Sequence, residues 1–180
     1  MTETRLGIPA IVHEECLTGL AAWQATTFPT PLAWGASFDP ELVQNMAAAI
    51  GSSMRALGGV HQGLAPVLDV IRDARWGRVE ECIGEDPYLV GTLGTSYVLR
   101  SRIAGRRRAR HAQAFRRLLR IAGRSQPAPV HAGPREVADV LLIPFEMAVL
   151  DGGVRSVMHT YAEIDAVSYT HLTLPTNREV

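Results

Sequence analysis

At 180 residues, with 47% hydrophobic and 20% charged side chains, the chain can bury a sizeable core and falls in the composition range of globular proteins, not disordered or fibrous ones. Its formal net charge of zero gives no global electrostatic case for a nucleic-acid or anionic-membrane partner. No apolar run reaches membrane-spanning length, and the opening MTETRLGIPA lacks the basic and apolar stretches of a secretion leader, which favours the cytoplasm.

In chain order, residues 7–13 (GIPAIVH) predict a short buried strand, followed by the polar turn HEECLTG and a Pro- and Gly-punctuated loop, TTFPTPLAWGASFDPE. Asp39-Pro40-Glu41 reads as a helix start, with Asp39 as N-cap and Pro40 at the first helical position. Helical apolar spacing then runs from Leu42 to Leu57 and stops at Gly58-Gly59. GLAPVLDV (63–70) predicts a second strand, and the polar loop IRDARWGRVEECIGEDP follows it. Asp86 and Pro87 repeat the capping signature for a helix over 87–99. A third helix is expected from Pro134 to Leu150, closed by Gly152-Gly153, and VRSVMHTYAEID predicts a third strand.

Apolar strand, polar loop and helix, repeated, predict an α/β fold with a parallel sheet. The chemically loaded stretches all follow strands, which is where a (β/α)8 barrel builds its active-site face. Pattern alone leaves a doubly wound sheet open, although no glycine-rich phosphate loop follows any strand. Cys16 and Cys82 stand alone in unrelated segments, so two reduced structural thiols are expected, with no disulfide or metal site.

The loop after the second strand holds Asp73, Arg75, Trp76, Arg78, Glu80, Glu81, Glu85 and Asp86. Planar guanidinium donors, carboxylate acceptors and an aromatic face are the groups with which proteins hold sugars. On charge alone, a loop held by its own salt bridges is the better reading of the same residues. His13-Glu14-Glu15 lacks the helical histidine pair of a zinc protease.

Four ordered blocks tip the balance toward the sugar reading. LGIPAIVHEECLTG, TTFPTPLAWGASFDPELV, APVLDVIRDARWGRVEECIGEDPYLVG and PVHAGPREVADVLLIPFEMAVLDGGVRSVMHTYAEID together resemble the N-terminal domain of glycoside hydrolase family 3. The resemblance implies a partial (β/α)8 TIM-type barrel, about half of the eight units, over residues 1–166. It implies substrate-binding roles for Glu15 (an acidic position where the family often has Asp), for Arg78 of the WGR motif, and for Tyr161, near the nucleophile. Asp69 and Asp73 are expected to brace the loop, and Trp76 has a reading as packing alone. No cofactor or metal is implied; the implied partner is an oligosaccharide or other β-glycoside, with no nucleic-acid or membrane partner.

Between the third and fourth blocks the chain departs from the family. All 18 basic residues are Arg, and ten of them fall between Arg100 and Arg124. Where the family has GLQG and then a Lys-His-Phe motif, this chain reads SRIAGRRRARHAQAFRRLLRIAGRSQPAPV. Codons read from their second base permit AAG across Gln113 and Ala114, CAT across Ala114 and Phe115, and TTC across Phe115 and Arg116. The shifted frame can thus spell KHFAGYSASRAGRN. A frameshift over about residues 100–127 is therefore expected, with one interior strand disrupted; a natural Arg-rich insertion or a basic nucleic-acid-binding arm does not explain the hidden motif. VSYTHLTLPTNREV (167–180) resembles a translated sequencing adapter.

The resemblance implies a retaining β-glycosidase that removes terminal non-reducing β-D-glucosyl or β-D-xylosyl residues through a carboxylate nucleophile and a carboxylic acid/base. Both catalytic carboxylates are expected outside this chain. The 180-residue product is therefore expected to be inactive and, with open strand edges, molten or insoluble. Two alternatives are a non-catalytic carbohydrate-binding fragment and the β-N-acetylhexosaminidase branch; that branch typically carries KHFPGHG, whose histidine is missing from the recovered KHFAGYS.

Overall fold

The computed structural model describes residues 5–8, 11–58, 60, 62–101, 132–158 and the backbone of 113–115. Its elements run β1 (His13–Glu15), α1 (Pro31–Ser37), α2 (Pro40–Ala56), β2 (Gln62–Leu64), a 3-10 turn (Val79–Glu81), α3 (Pro87–Arg100), β3 (Gln113–Phe115), α4 (Pro134–Glu136), a π-helical stretch (Val137–Leu141), α5 (Ile143–Leu150) and β4 (Ser156–Met158). Strands and helices alternate, and the described pairings of named strands are parallel, β1 with β2 and β3 with β4. Gln62 Nε2 donates to Ser156 Oγ at 3.2 Å, linking the two pairs side by side. This is an α/β arrangement.

Both capping signatures form as the sequence predicts. The Asp39 carboxylate accepts from the N–H groups of Glu41 and Leu42, both at 3.0 Å, and Pro40 opens α2. Asp86 accepts from Leu89 N–H at 2.7 Å, and Pro87 opens α3. In each case a side chain satisfies helix N–H groups that have no intrahelical partner. Val43, Ala47, Ile50 and Met54 form the buried stripe of α2, at the three- and four-residue spacing that puts them on one face.

Helix α3 is buried along most of its length, with Val90, Leu93 and Tyr97 fully enclosed. It packs against α2 and α5 and over the segment after β2, where close contact requires small residues. A Cβ on Gly94 would lie 2.2 Å from Leu68 Cδ2. The Tyr97 ring stacks on Trp34 of α1, with centroids 5.1 Å apart, joining three helices into one apolar layer.

Several elements differ from the sequence reading. The first strand lies at His13–Glu15, after the apolar run that predicted it. The segment 31–37, read as loop, is helix α1: Pro31 opens it and Trp34 is buried beneath it. Ladder pairing of the second strand stops at Leu64, just before Pro66, which has no N–H to donate. The continuous helix expected over 134–150 is broken into three pieces. Leu142 N–H bonds to Val137 O at 2.9 Å, one residue wider than an α-turn, and Pro144 interrupts the donor series. Gln113–Phe115, inside the segment expected to have lost its strand, pairs with Ser156–Met158, because ladder bonds use backbone groups irrespective of side-chain identity. Most of the Arg-rich segment, all of 167–180, and Tyr161 lie outside the described residues.

Candidate functional site

Two segments that follow parallel strands build one cleft of about 410 Å³. From the β1 side come Glu15, the last residue of that strand, and the turn Leu17–Ala21; from the β2 side come Arg78, Glu80 and Glu81; Thr27 and Thr30 close the rim. The turn after Glu15 depends on Gly19, whose φ is +101° and whose Cβ, if present, would lie 2.4 Å from Thr26 O. That left-handed residue lets Phe28 N–H bond to Thr18 O at 2.8 Å and fixes the wall of the cleft.

Arg78 and Glu81, half-buried, form a two-pronged pair. Arg78 Nε donates to Glu81 Oε1 at 2.6 Å and a terminal guanidinium nitrogen donates to Oε2. Glu81 raises the affinity of Arg78 for its proton, chiefly through that hydrogen bond. Glu15, on the β1 side, is solvent-accessible, yet its carboxyl is pushed up, first by desolvation and next by the negative charge of Glu81. Arg78 and His13 partly offset this, while Glu14 adds to it. Among the described residues, the Glu15 carboxylate makes no ion pair with Arg78. The cleft therefore offers a fixed planar cation and a separate carboxylate acceptor, a geometry suited to several hydroxyl groups of one small polar molecule.

Asp73 and Arg75 pair with each other within the loop. Asp73 takes three hydrogen bonds from the Arg75 side chain, at 2.9, 3.1 and 2.5 Å, and one from its backbone. These contacts hold its carboxyl well below the usual range, at about 2. Asp69 is buried, and its charge also supports the protonated Arg78. Trp76, for which the sequence left a sugar platform or packing alone, packs with Val67, Ile71 and Cys82. Its burial anchors the loop from below and leaves no ring face for a ligand. The two cysteines are free and buried; burial pushes the Cys16 thiol up to about 12 and raises Cys82 as well.

The structure thus brings together Glu15 and Arg78; Tyr161 is outside the described residues. Sequence reading missed Glu81 as the partner of Arg78, although the i, i+3 spacing of opposite charges in WGRVEE is a local signal for such a pair. It also missed the threonine rim, which no charge pattern marks. Among the described residues, no cluster of three or more His, Cys, Asp or Glu is placed to hold a metal ion, and no helix is long and apolar enough to cross a membrane.

Residues 1–176 match the glycosyl hydrolase family 3 N terminal domain. A β-xylosidase of Formosa agariphila is 34% identical over 177 residues, covering 91% of this chain and 24% of that protein. A β-glucosidase of Rhizobium radiobacter is 28% identical over 177 residues, covering 92% of this chain and 20% of its own length. Among solved structures, a β-glucosidase involved in saponin metabolism from intestinal bacteria superposes with a TM-score of 0.82 at 32% identity, over 93% of this chain and 23% of that one. A β-glucosidase of Erythrobacter marinus gives 0.81 at 35% identity, over 92% and 22%. The chain spans about a quarter or less of the length of these relatives.

Proposed function

The chain belongs to glycosyl hydrolase family 3, and on that premise we propose that its cleft holds the terminal sugar in a retaining β-glycosidase acting on non-reducing β-D-glucosyl or β-D-xylosyl residues. The observation that carries this reading is the convergence of Glu15 and Arg78, from segments following two different parallel strands, on one cleft. The β-xylosidase and β-glucosidase relatives support the choice of glycosides. In this reading Arg78 donates to a pair of adjacent hydroxyls, Glu15 accepts from another, and Tyr161 contacts the sugar near the attacking carboxylate. In this reading the parallel strands belong to a partial (β/α)8 barrel, a fold whose active-site face collects the segments that follow its strands.

Retaining hydrolysis needs two carboxyl groups about 5–5.5 Å apart across the anomeric carbon, one to attack it and one to protonate the leaving oxygen and then activate water. We assign neither role to Glu15, which in this reading binds sugar, nor to Asp165 or Glu163, which the sequence assigns to the expected strand ahead of the nucleophile's. The 180-residue chain by itself is therefore inactive in this proposal. Residues 1–166 are barrel sequence interrupted by a frameshift over about 100–127, and 167–180 are adapter-derived; nucleotide reads across those codons test this directly, and a continuous, well-covered frame would overturn it.

The functional test transplants residues 5–101 into the Formosa agariphila β-xylosidase in place of the segment they match, with 4-nitrophenyl β-D-xyloside as substrate. The chimera is expected to hydrolyse the xyloside, and Arg78→Ala within it is expected to lower kcat/KM by roughly 10- to 150-fold, the range for losing hydrogen bonds to a charged group. An Arg78→Ala chimera as active as its parent would remove the basis for the assignment.

A further inference from the structure

Two hydrogen bonds join the helical layer to the wall of the cleft. The Tyr97 hydroxyl of α3 donates to the Cys16 carbonyl at 2.6 Å, and Trp34 Nε1 of α1 donates to the Pro29 carbonyl at 2.8 Å. The two rings are buried and stacked, with planes 9° from parallel. Cys16 and Pro29 bracket the segment that supplies Leu17, Thr18, Gly19, Leu20, Ala21 and Thr27 to the cleft. We infer that Trp34 and Tyr97 are positioning residues: as one stacked pair they clamp both ends of that segment, and so set where Glu15 stands in the cleft it shares with Arg78. The inference deepens the terminal-sugar reading and rests on it for its functional meaning.

Ladder pairing of β1 with β2 ends at Glu15, so Cys16 is the first residue past it. Bonds within the segment run from Gly19 N–H to Cys16 O at 3.4 Å, from Ala21 N–H to Glu15 O at 3.4 Å and from Phe28 N–H to Thr18 O at 2.8 Å. They give the segment its shape; the two aromatic donors give it its place against the helices. Each ring carries one polar hydrogen, which is costly to leave unpaired once enclosed. Burial raises the Tyr97 hydroxyl well above the usual tyrosine range, so it stays protonated and donating. At the second end, Phe28, Pro29 and Trp34 border an apolar groove of about 360 Å³ between α1 and α2, which leaves packing there incomplete and the bond to Pro29 correspondingly important. Stacking fixes the two donors relative to each other, so α1 and α3 together set the spacing of the two ends.

The test is a double-mutant cycle in the Formosa agariphila chimera that carries residues 5–101, assayed on 4-nitrophenyl β-D-xyloside. Tyr97→Phe removes the bond to Cys16 but keeps the ring and its stack, and is expected to lower kcat/KM by roughly 2- to 10-fold, the range for one neutral hydrogen bond. With Glu15→Gln already in place, the same substitution is expected to change kcat/KM by less than about 2-fold, because the group it positions is gone. Trp34→Phe removes the bond to Pro29 and supplies a second cycle with the same expected pattern. A general loss of stability, by contrast, lowers activity by the same factor in both backgrounds. Equal losses with and without Glu15→Gln, or a Tyr97→Phe chimera as active as its parent, would overturn the inference. Amide hydrogen exchange over residues 17–28 keeps this inference apart from the sugar reading. It is expected to quicken in Tyr97→Phe while α2 keeps its protection, and unchanged exchange would overturn the clamp. Faster exchange beside a Glu15→Gln chimera as active as its parent would retain the clamp and remove Glu15 from sugar binding.

Discussion

The helical layer and the cleft reach order by different physics. In the layer of α1, α2, α3 and α5, side chains such as Leu93, Val90 and Ile50 are wholly enclosed and Gly94 allows close approach. In the loop of the cleft, order comes from short-range charge pairs, Asp73 with Arg75 and Arg78 with Glu81, set over a small apolar anchor of Val67, Ile71, Trp76 and Cys82. Enclosed apolar surface stabilises the chain strongly without directing chemistry, whereas partly exposed ion pairs add little stability but fix where donors and acceptors stand. Stability and recognition are therefore largely separable in this chain.

Substitutions can break or sharpen that contrast, with urea unfolding of the Formosa agariphila chimera that carries residues 5–101 as the measurement. Leu93→Ala should have the largest effect, lowering stability by about 2–5 kcal/mol through lost burial and a residual cavity. Gly94→Ala should cost about 1–3 kcal/mol, because Leu68 must give way, although only at the end of a flexible side chain. Asp86→Ala removes the N-cap of α3 and should cost about 1 kcal/mol. A loss at Asp86 as large as that at Leu93 would end the distinction between capping and core.

The cleft should respond weakly, and in one place with opposite sign. The raised Glu15 carboxyl favours the folded state in its protonated form, so its contribution is present at low pH and is lost as pH rises through its folded titration point. Glu15→Gln should therefore slightly stabilise the chain at neutral pH, while in the chimera it lowers kcat/KM. Asp73 behaves the other way: its carboxyl is held near 2, so its contribution is present above the ordinary aspartate range and fades as pH falls toward 2. Because that pair is exposed to solvent, Asp73→Asn should give the smallest change, one that added salt removes.

The same contrast explains what could be read from the sequence. Asp39-Pro40 and Asp86-Pro87 announce α2 and α3 because capping is a contact between near neighbours. Glu15 and Arg78 were legible through ordered motifs, and the structure brings them to one cleft. Helix α1 was not legible, because Pro31 and Gly35 look like loop punctuation and only burial of Trp34 under Tyr97 shows why a helix forms there. The break in the third helix was hidden because apolar composition does not reveal the Pro144 interruption or the widened turn before it. Trp76 read both ways in the sequence, as a platform beside arginines or as packing alone, and three-dimensional packing turns it inward.

The Tyr97 hydroxyl, in the buried layer, donates to the Cys16 carbonyl at 2.6 Å, one residue beyond Glu15. That bond is a mechanical strut from the rear scaffold to the front carboxylate. Its removal would let the backbone beside Glu15 drift without altering any group that lines the cleft. Tolerance to change in α3 therefore ends at this hydroxyl, where a residue far from solvent sets the reach of one that faces it.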